Sequence, residues 1–143
     1  MLPTKTKRLF GTDGIRSVAG TPPLDLVTVA RLGSALVRAL KKSSPEFLLG
    51  RDTRESGIWL ERELVRGARL AGARCVSLGV LPTPAVALFT HKRSFDARIV
   101  ISASHYPYRD HGLKFFSSTG QKFDTEFEAI VEAIMDGDRT SVV

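Results

Sequence analysis

Short apolar runs alternate with longer amphipathic segments along this chain, and that alternation constrains the fold more than any other feature. The runs lie at residues 47–49, 75–78, 97–102 and 113–116, and each has the length of a strand. Largely apolar runs are typical of strands that helices cover on both faces of a sheet. Strands that alternate with helices need crossover connections, which favour parallel pairing. The pattern predicts an α/β fold.

The amphipathic segments predict four helices. The first follows Asp25 and the last follows Asp124, and both residues are suitable N-caps. Ser56 and Thr83 are suitable caps for the second and third helices. No helix fits between the third and fourth strands, so these two strands are predicted to be antiparallel. We therefore expect a three-layer α/β/α sandwich with a mixed, mostly parallel four-stranded sheet.

The composition suits one globular domain over residues 1–143, because the chain has 143 residues of which 43% are hydrophobic. No apolar run approaches the ~20 residues that a membrane helix needs, so no membrane partner is expected. The start of the chain carries charges without a following apolar stretch, which is not the pattern of a secretory signal. We therefore expect a cytoplasmic location.

The net charge of +6 favours anionic ligands, which include nucleic acids and phosphorylated small molecules. Lysine and arginine are scattered along the chain, and aromatic residues are not interleaved with them as they are in proteins that stack on bases. A phosphorylated small molecule is therefore the favoured ligand, and no nucleic acid is expected.

The connection between the third and fourth strands carries an unusual set of side chains. Ligands gather at the carboxyl ends of strands in open α/β sheets, and residues 102–114 place hydroxyls, imidazoles, cations and a carboxylate there. A serine in this loop can hold a phosphoryl group if cations neutralise its oxygens. The candidate cations are His105, Arg109 and Lys114. Alternatively, Ser102 and Ser104 bond the local backbone as turn residues, and composition alone leaves both interpretations open.

Four segments occur together in an order and spacing known from one family. They are residues 10–16, with the sequence Phe-Gly-Thr-Asp-Gly-Ile-Arg, and residues 50–57, 82–86 and 102–116. On these segments, which span nearly the whole chain, the sequence resembles the N-terminal domain (domain I) of the α-D-phosphohexomutases. The opening segment and Ser102 are most similar to the phosphoglucosamine mutase branch of that family.

The resemblance implies that the complete protein interconverts glucosamine 6-phosphate and glucosamine 1-phosphate through a bisphosphorylated intermediate. The family's phosphorylated serine falls on Ser104. The catalytic residues would be Ser104, His105, Lys114 and Arg16, with either His105 or Lys114 as the general acid or base. Arg16, Ser102 and Lys114 would bind the phosphate or the substrate. The resemblance also implies Mg²⁺, held at Ser104 through its phosphate and shared with ligands outside this chain.

The resemblance further implies that the chain is incomplete as an enzyme. Members of the family have four domains, and the metal-binding, sugar-binding and phosphate-binding domains are expected to be absent from residues 1–143. Residues 136–139 resemble the metal-binding loop only superficially and are interpreted as a helix end with its stop at Gly137. The expected partners are a phosphorylated hexose or hexosamine, together with the missing domains or further copies of the chain. We expect the chain alone to be inactive.

Some positions depart from the family pattern. Tyr106 and His111 stand where the family usually has asparagine, and Ser17 stands where glycine is common. The two lost amide groups would have offered hydrogen bonds that fix the loop. These departures motivate an alternative function, a non-catalytic phosphosugar-binding or regulatory module derived from this domain.

Charged residues outside the serine loop are expected to be structural. Arg51, Asp52 and Arg54 predict an internal charge network that braces the loops. Glu61 and the other charged residues of the second helix are expected to lie mostly on its solvent face.

Overall fold

The computed structural model of the chain describes residues 9–11, 14–91, 93–102 and 110–141. In chain order, the elements in these ranges are β1 (Ile15–Val18), α1 (Leu26–Leu40), β2 (Glu46–Arg51), α2 (Ser56–Leu70), β3 (Arg74–Val80), α3 (Pro84–Thr90), β4 (Ala97–Ile101), β5 (Asp110–Ser117) and α4 (Thr125–Ser141). Within this part of the chain, no helix is long and apolar enough to cross a membrane.

The strands form one sheet in the order β1-β5-β4-β2-β3. β2 pairs in parallel with β3 and β4, whereas β5 pairs antiparallel with β4 and β1. The antiparallel pairing predicted for the third and fourth apolar runs is therefore confirmed. The prediction of a four-stranded, mostly parallel sheet is wrong, because the described residues form five strands and half of their pairings are antiparallel.

Two differences from the sequence prediction have simple physical reasons. β1 was missed because only Ile15 of its four residues is buried, so it lacks an apolar run. Backbone pairing with β5, in which Ile15 lies opposite Leu113, holds β1 at the sheet edge instead. The predicted helix stop at Gly137 is also wrong, since α4 continues to Ser141. A glycine inside a helix costs only about 1 kcal/mol relative to alanine, which the neighbouring turns can offset.

Strand residues alternate between two cores because successive side chains of a strand point to opposite faces. Phe47 and Leu49 of β2 pack in the larger core, which α1, α2 and α4 cover. Leu48 and Val100 pack with Leu88 of α3 in the smaller core on the other face. Among the described residues, helices therefore flank both faces of the sheet, three on one face and α3 alone on the other.

The predicted helix caps are partly confirmed. Asp25 and Asp124 each accept a hydrogen bond from the main-chain N–H three residues further on, at 3.3 and 2.8 Å. Ser56 is the first residue of α2 rather than its cap, and within the described ranges Thr83 makes no side-chain cap bond to α3. Pro84 occupies the first turn of α3, where its fixed φ suits the helix and its missing N–H is not needed.

A buried arginine holds the end of α3. Arg98 of β4 is only 8% exposed and points into the smaller core. Its guanidinium donates to the carbonyl oxygen of Leu88 in the last turn of this short helix, and to those of His91 and Arg93 just beyond it. Carbonyls at a helix end lack partners within the helix and carry partial negative charge, so the end of α3 stabilises the buried cation.

The contact between α1 and α2 depends on two glycines. α1 and α2 cross where Gly33 lies against the backbone of Leu64 and Gly67 lies against the backbone of Ala30. A Cβ atom at either glycine would overlap the carbonyl oxygen of the facing helix. The two helices can therefore approach this closely only because both positions lack a side chain.

We predict that Gly33→Ala and Gly67→Ala each lower the free energy of unfolding by about 2 kcal/mol or more, because the helices must separate to admit a methyl group. Urea denaturation followed by circular dichroism measures this change. Gly137→Ala is the matched control, since nothing lies within 4 Å of the added Cβ in α4. That change should raise the free energy of unfolding by about 0.5–1 kcal/mol. Equal effects at all three glycines would contradict the prediction.

Candidate active site

The carboxyl ends of the parallel strands β2, β3 and β4 lie side by side at one end of the sheet, as expected. The loops that follow these strand ends are joined by backbone hydrogen bonds. Asp52 N–H donates to the carbonyl of Ile101 at 3.0 Å, and Leu81 N–H donates to the carbonyl of Arg51 at 2.9 Å. The loop after β2 therefore connects the loop after β3 to the end of β4, where the serine-bearing connection begins.

The predicted site residues divide into two groups. Ser104 and His105 lie outside the described residues, within the segment 103–109. Arg16, Ser102 and Lys114 are described. Their positions therefore decide whether the ends of the connection offer a suitable setting for a phosphorylated serine.

Arg16 and Ser102 flank the same residue of β5. Arg16 lies opposite Gly112 in the β1–β5 pairing. Ser102 N–H donates to the carbonyl of Gly112 at 3.0 Å from the other side. The three residues thus form a row across three neighbouring strands, next to the connection that carries Ser104.

Lys114 lies on the same face of the sheet as Arg16. Ile15 and Leu113 both face the larger core, so the next residue along each strand, Arg16 and Lys114, faces the opposite side. The two are diagonal neighbours, with Cα atoms roughly 7–8 Å apart in such a pairing. Gly112 places no side chain between them. Arg16 is exposed and Lys114 is half-buried, so two cations line this face beside the serine loop.

The backbone before β1 is fixed by hydrogen bonds and a tight turn. The carboxylate of Glu132 on α4 accepts the N–H groups of residues 9 and 10 at 2.6 and 3.1 Å. Gly11 and Gly14 then exchange two backbone hydrogen bonds, at 2.8 and 3.3 Å. Gly14 has a φ of 84°, and a Cβ there would overlap the carbonyl of Leu113. Only glycine suits this position, and the turn determines where Arg16 enters the sheet.

The predicted charge network is confirmed in part. Asp52 accepts the N–H of Arg54 at 3.1 Å, and its carboxylate lies 4.0 Å from the guanidinium of Arg54. Arg51 instead pairs with Glu61 of α2. The prediction that Glu61 faces solvent is wrong, since the residue is 7% exposed and also accepts a bond from the hydroxyl of Ser77. Glu61 thus joins α2 to β2 and β3.

His111 was treated in the sequence only as a lost amide, but the structure buries it completely. Its Nδ1 accepts the N–H of Gly112 at 3.0 Å, and its Nε2 lies 3.8 Å from Oδ1 of Asp52. Burial lowers the pKa of His111 below its usual value, while the nearby Asp52 carboxylate partly opposes that shift. The ring therefore lies between the start of β5 and the loop after β2.

The sequence pattern of the phosphoglucomutase/phosphomannomutase alpha/beta/alpha domain I matches residues 7–141. The chain belongs to this family. The phosphoglucosamine mutases of Koribacter versatilis and Solibacter usitatus are 47% and 48% identical to it, over 92% and 88% of the chain. A crystal structure of a phosphoglucomutase/phosphomannomutase family protein from Burkholderia thailandensis superposes on 92% of the chain with a TM-score of 0.73 and 29% identity.

The family resemblance seen in the sequence is thus confirmed. The chain spans about 30% of the length of these relatives and of the Burkholderia thailandensis protein. It corresponds to domain I of a phosphohexomutase, and the relatives contain further segments that this chain does not match.

The described part of this phosphohexomutase domain offers no Mg²⁺ site by itself. Across those ranges, no three His, Cys, Asp or Glu side chains come together in a way that could hold a metal ion. Ser104, through whose phosphate the ion would be held, lies outside them. The Mg²⁺ therefore stays a prediction.

We predict that Glu61→Ala lowers the free energy of unfolding of this domain by about 2 kcal/mol. The change leaves the guanidinium of Arg51, which is 19% exposed, without its carboxylate and removes the acceptor for Ser77. Glu63→Ala is the matched control on the same helix, because its partners Arg62 and Arg66 are 67% and 56% exposed. Its cost should stay within about 0–1 kcal/mol in the same urea titration. Equal costs for the two variants would show that the buried pair has no special role.

Proposed function

We propose that this chain is the serine-bearing domain of a phosphoglucosamine mutase, in which Ser104 donates and accepts the phosphoryl group. The observation that supports the proposal is the pair of cations on one face of β1 and β5. Arg16 and Lys114 are diagonal neighbours there, next to the connection that contains Ser104. A phosphoserine at this edge would find positive charge on the adjacent strands, which its oxygens require.

In the proposed reaction, a hydroxyl of the sugar phosphate attacks the phosphorus of phosphorylated Ser104. A new bond forms between the sugar oxygen and phosphorus while the bond from Ser104 Oγ to phosphorus breaks. A base, either His105 or Lys114, takes the hydroxyl proton, and either the same residue or the other gives a proton to Oγ of Ser104 as it leaves. The bisphosphorylated sugar then returns its other phosphoryl group to Ser104, which completes the isomerisation.

The two cations act through charge and position. Phosphoryl transfer passes through a loose transition state whose negative charge spreads over the phosphoryl oxygens, so catalysis rests on positioning and electrostatic stabilisation. The planar guanidinium of Arg16 can bind two of these oxygens at once. Lys114 supplies a compact point charge, which also suits it to proton transfer.

The choice of sugar rests on the relatives. The proteins that match at 47% and 48% identity are named phosphoglucosamine mutases, which favours glucosamine 6-phosphate and glucosamine 1-phosphate as the pair that is interconverted. Because the chain spans about 30% of their length, we propose that the groups that recognise the sugar lie in other segments of the complete protein. The chain alone should show negligible turnover.

We predict that Ser104 carries a phosphate when the complete gene product is expressed and purified. Intact-mass measurement with peptide mapping locates the modification. Ser104→Ala should lack the phosphate and lose isomerase activity, whereas Ser118→Ala, an exposed serine of the turn after β5, should change neither. An unmodified Ser104 in a protein that still binds the sugar phosphate would support the alternative function, a non-catalytic binding module.

We also predict that Arg16→Met slows phosphoryl transfer from Ser104 to the sugar by about 10²-fold, because one charge that stabilises the transition state is lost. Rapid-quench measurement of the fraction of Ser104 that remains phosphorylated after the sugar phosphate is added gives this rate. Arg74→Met is the control, since Arg74 is also an exposed strand arginine but begins β3 at the opposite edge of the sheet. An unchanged rate for Arg16→Met, or an equal loss for Arg74→Met, would remove the support that Arg16 gives to the proposal.

A further inference from the structure

The second residue of β5 places a fully buried imidazole directly after the serine-bearing connection. His111 is 0% exposed and faces the larger core, in phase with Leu113 of the same strand. The first turn of α2 lies against its ring, because a Cβ at Gly57 would be 3.7 Å from Nε2. The ring is thus confined between β5, α2 and the loop after β2.

The contacts of the ring determine where its proton lies. Nδ1 accepts the N–H of Gly112, so this nitrogen carries a lone pair. In a neutral imidazole the proton must then be on Nε2. Among the described residues, Nε2 has no hydrogen-bond partner, and it faces Oδ1 of Asp52 at 3.8 Å. A shift of roughly 1 Å would turn this approach into a hydrogen bond.

Asp52 is itself held in place. Its Oδ1 accepts the N–H of Arg54, and its own N–H donates to the carbonyl of Ile101 at the end of β4. Asp52 is therefore attached to one end of the serine-bearing connection, while His111 belongs to the other end. A contact between them closes the base of that connection.

We propose that His111 is a positioning residue whose Nε2–H, directed at Asp52, holds together the two ends of the connection that bears Ser104. Its importance for catalysis rests on the proposed function, but the approach of Nε2 to Asp52 is a property of the fold. Asparagine, which the family resemblance places at this position, is too short to supply the same donor. The link is therefore specific to chains with a longer donor here.

The charged groups around the ring make the link sensitive to pH. Asp52 favours the protonated ring and Arg54 opposes it, while the side chain of Arg51 lies on the same side of Gly57 as the ring. Burial is the largest influence and lowers the pKa of His111 from its usual 6.5. The unfolded or opened chain then binds the proton more tightly than the closed one. Protonation adds a hydrogen at Nδ1, which can then no longer accept the N–H of Gly112, so the closed arrangement is complete above about pH 6.5 and weakens as the pH falls towards the lowered pKa.

The test compares His111→Gln and His111→Asn with the unchanged chain. The glutamine amide nitrogen can occupy the position of Nε2 without titrating, whereas the asparagine amide reaches only the position of Nδ1. Two kinds of measurement are made, the first on the unchanged chain and the second on all three proteins. Nitrogen-15 NMR of the unchanged chain identifies the protonated ring nitrogen. Hydrogen exchange at about pH 8 and about pH 5.5, corrected for intrinsic rates, reports protection of the Asp52 and Ser102 N–H groups.

We expect the proton of His111 on Nε2, and protection of both amides that falls by up to about tenfold at the lower pH. His111→Gln should keep the protection at both pH values, and His111→Asn should lose it at both. The N–H of Asp96 donates to the carbonyl of Glu46 at the amino end of β2, far from the serine-bearing connection. It serves as the internal control, and its protection should not change.

A proton on Nδ1, or the same pH dependence in His111→Gln as in the unchanged chain, would overturn the proposal. So would full protection in His111→Asn. These outcomes are distinct from failure of the proposed function, which would appear as an unphosphorylated Ser104 in a chain whose amides still follow the expected pattern.

Discussion

The close crossing of α1 and α2 at Gly33 and Gly67 is the contact on which the geometry of the site depends. Because neither glycine has a side chain, the backbones of the two helices meet directly. This contact keeps α2 close to the sheet, where Gly57 lies against the side chains of Arg51 and His111. From that position Glu61 also reaches the guanidinium of Arg51. A wider crossing would separate these partners and leave a partly buried cation without its carboxylate.

The cationic side chains of the domain lie in two kinds of environment. Those inside the fold are neutralised by it, Arg51 by a carboxylate and Arg98 by the carbonyls at the end of α3. Arg16 and Lys114 lie instead on the face of β1 and β5, beyond the region over β2 and β4 where α3 mainly packs. Removing an ion from water is costly, so an interior cation needs an internal partner. Cations near the surface can also meet an anionic ligand, which is the property that phosphoryl transfer requires.

The outcomes for particular residues show how far local patterns reach. The four apolar runs became strands because they bury side chains on both faces, and Asp25 and Asp124 became caps because a cap acts within one turn. Glu61 is in helical phase with Leu64 and the other buried residues of α2, and His111 alternates in phase with Leu113. Both were therefore open to prediction as buried residues. Because Glu61 and His111 are polar, their residue types alone favour exposure. The residues that stabilise them inside the fold lie in distant segments of the chain.

Local patterns were enough to predict the α/β class, the helices and their main caps, the antiparallel pairing of β4 with β5 and membership of the phosphohexomutase family. These features follow from periodicity and from residue types at fixed spacing, which act over a few residues or are matched position by position. Three features emerged only in the folded chain: β1 joins the sheet, Arg51 pairs with Glu61, and His111 faces Asp52. Each of these depends on backbone pairing or burial between segments far apart in the chain, and no local pattern encodes which distant partner satisfies a polar group.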